Sequence, residues 1–221
     1  MIAVDPWLQE KWTGLMTAYK ADPALADKCL HELFRKYSSS GRHYHTLVHI
    51  RTLLDYADAF RSSLADLQLV TAAILYHDII YNVWRTDNEA RSAALAGKRF
   101  KDLKVSAAVA EKLQLYIDAT HLHCLPPALT GDQDAAFFLD FDMAILGASW
   151  PEYLNYIRQV RKEYHIYPEM LYKSGRRKFL QNSLRAPVLF HTPEFRQSHE
   201  AQARANMEKE LELLLSADFS L

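Results

Sequence analysis

The chain predicts an all-α fold, a bundle of roughly nine to ten helices, on three observations. Glycine and proline are scarce, 6 and 8 in 221 residues, which disfavours a turn-rich β architecture. Helix-start signatures recur along the chain, beginning with Asp5-Pro6 and Asp22-Pro23. Between them, apolar residues repeat at the three-to-four-residue spacing of one helix face.

Taken in order, Asp5-Pro6 sets an N-cap carboxylate before a proline in the first turn, and a helix follows to about Lys20. Asp22-Pro23 starts a second, which stops at the Ser38-Ser39-Ser40-Gly41 breaker. A third is expected from about His43 to Arg61, with Ile50, Leu53, Leu54, Ala57 and Phe60 as its apolar stripe and Arg51, Asp55 and Asp58 as its charged face. His45, His49, Thr52 and Tyr56 then share a third face, away from the charged one. Such a polar stripe is common, but two histidines one turn apart can also point at one ion, or at an ion and its ligand.

The fourth helix, about Asp66 to Tyr81, is apolar nearly all round, so it is expected to be central and buried. It carries His77-Asp78, and an imidazole beside a carboxylate is costly to bury unless something satisfies both. Thr86-Asp87-Asn88-Glu89 reads as a capping box opening a fifth helix to about Phe100, which by itself explains Glu89. From Ser106 a sixth helix continues one stripe through Val109, Leu113, Tyr116, Ile117, Thr120 and His121, so His121 is expected along the core direction. Pro126 and Pro127 interrupt helix in the loop that follows. The seventh, about Asp132 to Leu146, sets Asp140 and Asp142 in an apolar run, roughly 200° apart on the wheel, so both cannot face one ion. Ser149-Trp150-Pro151-Glu152 is a second capping box. The helix it starts leads into a segment rich in Tyr, Arg and Lys, where arginine suits phosphate recognition and a solvated face is the ordinary alternative. A last helix, about Pro193 to Ser216, pairs Glu200 with Arg204 at i, i+4.

No linker or internal repeat interrupts the pattern, so one domain over 1–221 is expected. A net charge of −1 gives no footprint for nucleic acid or an anionic membrane. No run reaches the ~18–20 apolar residues of a spanning helix, and residues 1–20 hold no apolar signal core. The two cysteines, Cys29 and Cys124, suit idle thiols in a reducing compartment. A cytoplasmic protein is expected, and a homodimer is compatible with the sequence.

A histidine from one helix, His77-Asp78 from a second and an aspartate from a third would give two imidazoles and two carboxylates around one divalent ion. That donor set suits Mn²⁺, Fe²⁺, Co²⁺, Ni²⁺ or Zn²⁺, and admits Mg²⁺. An ion of this kind acidifies water and polarises a phosphoryl oxygen. His49 or His121 could serve a second ion.

These features resemble the HD-domain superfamily of metal-dependent phosphohydrolases, which are all-helical, and within it a predicted phosphohydrolase family. The similar stretches are Arg42-His43-Tyr44-His45-Thr46-Leu47 with His49-Ile50, His77-Asp78 with Tyr81, and Asn88-Glu89 with Ser92-Ala93. They continue with 138–147, Arg161 with Glu163-Tyr164, Gly175-Arg176, and Glu200 with Ala203-Arg204 and Asn206. The likeness spans about 40–215, with a core at about 40–147. It implies His45, His77, Asp78 and Asp142 as metal ligands, Asp142 being preferred to Asp140. It implies hydrolysis of a phosphate ester of a small metabolite, most often a nucleotide. On that reading Asp78, Glu89 and His49 carry the catalytic chemistry, and His121, Arg161, Arg176 and Arg204 bind substrate. Two other activities fit the same residues: a di-iron oxygenase, using the spare histidines His49, His121 and His123, and a non-catalytic nucleotide sensor.

Overall fold

The computed structural model describes residues 4–216, and these form ten α-helices and no strand. The all-α expectation therefore holds. Their contacts divide into two compact units, 1–138 and 139–221, where the sequence suggested one domain. No helix among the described residues is long and apolar enough to cross a membrane.

The first unit contains α1 (Pro6–Ala18), α2 (Pro23–Tyr37), α3 (Leu47–Ala59), α4 (Leu67–Tyr76), α5 (Asn88–Asp102), α6 (Ala107–Ala119) and most of α7 (Gln133–Met143). Both aspartate–proline starts work as read: Asp5 accepts from the Trp7 and Leu8 amides, and Asp22 from the Leu25 amide. Each cap satisfies amides that have no partner inside the helix, which stabilises the start by about 1 kcal/mol. The hub is α4. Its residues Leu69, Val70 and Ala72 to Tyr76 are buried, and α1, α3, α5 and α6 pack around it. Burial of each large aliphatic side chain there contributes about 1.5–3 kcal/mol. Trp12 of α1 reaches across to donate to the Ala26 carbonyl at 2.9 Å. The α4 start is anchored by Asp134, which accepts from the Ala65 and Asp66 amides at 2.9 and 2.7 Å. Where α5 crosses α6, a Cβ on Gly97 would lie 2.4 Å from the Gln114 side chain, whose flexible end would have to move aside.

The second unit takes in the end of α7, a 3-10 turn Ala144–Gly147, α8 (Trp150–Glu163), α9 (Glu169–Arg185) and α10 (Pro193–Leu215). The predicted box at Ser149 forms: its amide and hydroxyl both donate to Glu152, at 3.1 and 2.6 Å. α10 packs on the 3-10 turn and on α9, and Asn206 of α10 donates to the Leu146 and Ala148 carbonyls, each at 2.8 Å. At the polar centre of this unit lies Glu210, fully buried and held by Tyr153 and Arg176.

Four element boundaries differ from the sequence reading. α3 starts at Leu47 with Thr46 as its cap, so His43 and His45 precede it in a turn. α4 ends at Tyr76, and His77-Asp78 forms the bend beyond it. α6 ends at Ala119, which takes His121 off the apolar stripe and leaves it exposed. α7 stops at Met143, and the 3-10 turn takes the last residues assigned to it.

Candidate metal centre

The termination of α4 builds the site. The last carbonyls of a helix have no intrahelical donor and need one from outside. Here the Leu75 carbonyl accepts from the Tyr37 hydroxyl at 3.1 Å, and the Ile74 carbonyl accepts from the His77 ring at 2.9 Å. A carbonyl only accepts, so His77 carries its proton on Nδ1. In the neutral ring Nε2 is then a bare lone pair, the form that binds a metal.

That lone pair faces two other donors. His77 Nε2 lies 3.2 Å from His49 Nε2 and 3.2 Å from Asp78 Oδ2. His49 Nε2 lies 4.0 Å from the same carboxylate oxygen. The three form a group whose ligand atoms all fall within 4.8 Å of one another. His49 and His77 are buried, their side chains 3 % and 1 % exposed. A neutral imidazole lone pair and a carboxylate oxygen repel at such a distance in a dry setting unless a positive charge joins them. A proton or a metal ion meets that requirement, and two imidazoles with one carboxylate are a borderline donor set for first-row divalent ions.

His45 stands at the rim. Its Nε2 is 3.8 Å from Asp78 Oδ2, and its side chain is 21 % exposed. The Tyr44 ring contacts both His45 and His49, with ring centres 5.0 and 4.9 Å away, and the Tyr81 ring lies tilted against His45 at 4.3 Å. His49 lies within the compact group, and His45, the histidine expected from sequence, stands beside it. The physical reason is the later start of α3. With Thr46 as the cap, His49 occupies the first turn and turns inward with Ile50, while His45 stays in the preceding turn.

Glu89 and His121, taken from separate helices, meet: His121 Nδ1 is 3.3 Å from Glu89 Oε2. Thr86 does not form the expected capping box with Glu89. The cap residue is Asp87, without a side-chain bond to the helix amides, because its carboxylate is held by Arg85 and Arg91, each at 2.7 Å. Glu89 is therefore released from the capping role. Its helix start is tied to the loop after Asp78, since Asn88 accepts from the Asn82 amide at 3.0 Å and Ser92 from the Ile80 amide at 3.1 Å.

Asp140 and Asp142 belong to the second unit. Asp140 is fully buried and accepts from the His191 and Thr192 amides, both at 2.7 Å, and from the Thr192 hydroxyl at 2.6 Å. Burial raises its pKa while these three donors pull it down, with burial the larger effect. Asp140 is accordingly a cap for the start of α10. Asp142 itself is half-buried.

The three arginines expected to bind phosphate have other work. Arg176 holds Glu210 with both arms, at 2.7 and 3.0 Å, and reaches the Tyr156 hydroxyl at 3.2 Å. Arg161 donates to the Tyr164 and Tyr167 carbonyls at 2.8 and 3.3 Å and lies over the Tyr172 ring. Arg204 pairs with Glu200 at 2.8 Å and donates to the Leu184 and Ala186 carbonyls at 3.1 and 2.8 Å. Each closes a loop or pairs an acid inside the second unit, and these contacts give each a scaffold role.

Comparison with known proteins finds no matching family model, no matching curated protein and no matching solved structure.

Proposed function

We propose that the first unit holds a divalent metal ion through His49, His77 and Asp78 and is a metal-dependent phosphohydrolase acting on a phosphate ester of a small metabolite. The observation that carries this reading is the His77 ring: its proton is committed to Ile74, and its lone pair meets a carboxylate and a second imidazole in a nearly dry pocket. The ligand set is drawn from the first unit alone, so Asp142 is not included. An ion held there supplies Lewis-acid polarisation of a phosphoryl oxygen and a lowered pKa for water.

The remaining roles fall to residues at the rim. His45, part-exposed and beside Asp78, can exchange a proton with the ester oxygen that departs, which gives it the acid–base part and leaves His49 as a ligand. Glu89 accepts from His121 Nδ1, which leaves His121 Nε2 free to meet a phosphate oxygen or a hydroxyl. Tyr44 and Tyr81 hold the histidine rings in place by edge-on and tilted ring contacts. A nucleotide fits this chemistry as one member of a wider class of phosphate esters.

Protein purified without chelators, assayed for metal content and for phosphate release from a panel of phosphomonoesters and phosphodiesters, tests the proposal. Metal and turnover should disappear together in Asp78→Ala. Full metal content and activity in that variant would sink it.

A further inference from the structure

A buried arginine beside the site is left without a role by the proposed reaction. Arg42 is only 8 % exposed, yet its hydrogen bonds are to carbonyls and not to a carboxylate. One arm donates to the His45 carbonyl at 3.0 Å, the other to the Ile79 carbonyl at 3.1 Å. These two carbonyls lie on the two segments that bear the site, one before α3 and one after α4. The guanidinium also lies 4.8 Å from the Tyr37 ring centre and 5.3 Å from that of Tyr81, within cation–π range of both. The tyrosines continue the connection: Tyr37 donates to Leu75 at the end of α4, and the Tyr81 ring lies against that of His45.

We infer that Arg42 is a positioning residue, a clamp that sets the spacing between the His45–His49 segment and the His77-Asp78 bend and so pre-forms the metal centre. The inference rests on the metal reading above and adds a residue to which that reading gave no part. Two features make arginine the residue required. The planar fork reaches two carbonyls in fixed directions at once, which a lysine ammonium on its flexible stem does not do. The donor is a guanidinium cation, so hydrogen bonds to both carbonyls are charge-assisted and roughly twice as strong as neutral ones. The two carbonyls that Arg42 holds lie outside regular structure, one just before α3, whose first turn carries His49, and one just after α4. His45 lies in a turn, and His77 to Ile80 is a bend in which the Ile79 amide bonds Tyr76 at 3.2 Å. Arg42 spans the two segments where they leave their helices, next to the ligands His49 on α3 and His77-Asp78 after α4.

The test is metal affinity, measured by Co²⁺ titration with visible absorbance on the full chain, alongside thermal unfolding of the metal-free protein. Partners that orient ligands from outside typically contribute about 10–100-fold in affinity. Arg42→Met is expected to weaken Co²⁺ binding within that range, and Arg42→Lys, which keeps one carbonyl contact, by a smaller factor. Arg99→Met serves as the control. It removes the ion pair with Glu32 in the same unit, at 2.7 and 3.0 Å, and should lower thermal stability while Co²⁺ affinity stays at the wild-type value. Wild-type affinity in folded Arg42→Met overturns the clamp, as does wild-type affinity in Arg42→Lys should the methionine variant not fold. Equal weakening in Arg99→Met also overturns it, because the effect would then be general loosening. A wild-type protein that takes up no Co²⁺ overturns the metal reading and this inference together.

Discussion

Removing Arg176 should damage the fold and leave chemistry intact. Glu210 is fully buried, and three groups reach it: two arms of Arg176 and the Tyr153 hydroxyl. Arg176→Met takes away the only one of these that carries charge. A buried carboxylate deprived of its partner typically costs about 3–5 kcal/mol. For a chain of this size about 2–4 °C of melting temperature goes with each kcal/mol, so a fall of roughly 6–20 °C is expected. Urea denaturation gives the free energy directly. The double variant Arg176→Met/Glu210→Leu should recover most of the loss, because an apolar pair of similar volume replaces the ion pair. It should fall short by about 1 kcal/mol, since the Tyr153 hydroxyl then lacks its acceptor. Phosphate-ester turnover, measured below the unfolding transition, should keep its KM in both variants. A stability loss below about 1 kcal/mol, well under the buried-pair range, or a raised KM in an otherwise stable Arg176→Met protein, would refute the scaffold assignment.

Other outcomes follow from the same contacts. Asp140→Ala strips the acceptor from two amides and a hydroxyl at the start of α10, and denaturation should register a loss of about 1–3 kcal/mol with metal content unchanged. The Arg99 guanidinium bonded to Glu32 holds its carboxyl below the usual carboxylate range, with burial opposing. That stabilisation is present above the ordinary carboxylate pKa and is lost as pH falls through the depressed folded value. The melting-temperature gap between wild type and Glu32→Gln should therefore be steady near neutrality and close in acid, whereas a gap that widens in acid contradicts it. His45→Ala should keep the bound metal and lose turnover, while His49→Ala should lose both. Parallel metal analysis and phosphate-release assays separate the two histidines.

What the chain discloses about itself depends on how local the cause is. The starts of α1 and α2 are legible because an aspartate and a proline two residues long determine them. α4 is legible because an apolar run on all sides has nowhere to lie except inside. The end of α4 is not, since Tyr37 and the His77 ring supply the donors that finish it, and the first comes from 38 residues away. Thr86 to Glu89 has the spelling of a capping box, but Arg85 and Arg91 take Asp87 and the box does not close. His49 joins the compact group because α3 starts at Leu47, a few residues later than expected, and sets it in the first helical turn. Arg176 looks like a surface cation in sequence because its partner, Glu210, lies 34 residues further on. His77-Asp78 is legible in sequence as a costly buried pair, and donors distant in the chain decide which neighbours surround it.

The metal reading is tested most directly by counting ions. Protein purified without chelators, with His49→Ala, His77→Ala and Asp78→Ala beside it, is analysed for first-row metals and mapped by diffraction at the absorption edge of whichever metal is found. The expected result is an ion bonded to His49 Nε2, His77 Nε2 and an Asp78 oxygen, and a loss of metal in each variant. Metal-free wild-type protein after exposure to each candidate ion, or an ion bound away from these three residues, would contradict it.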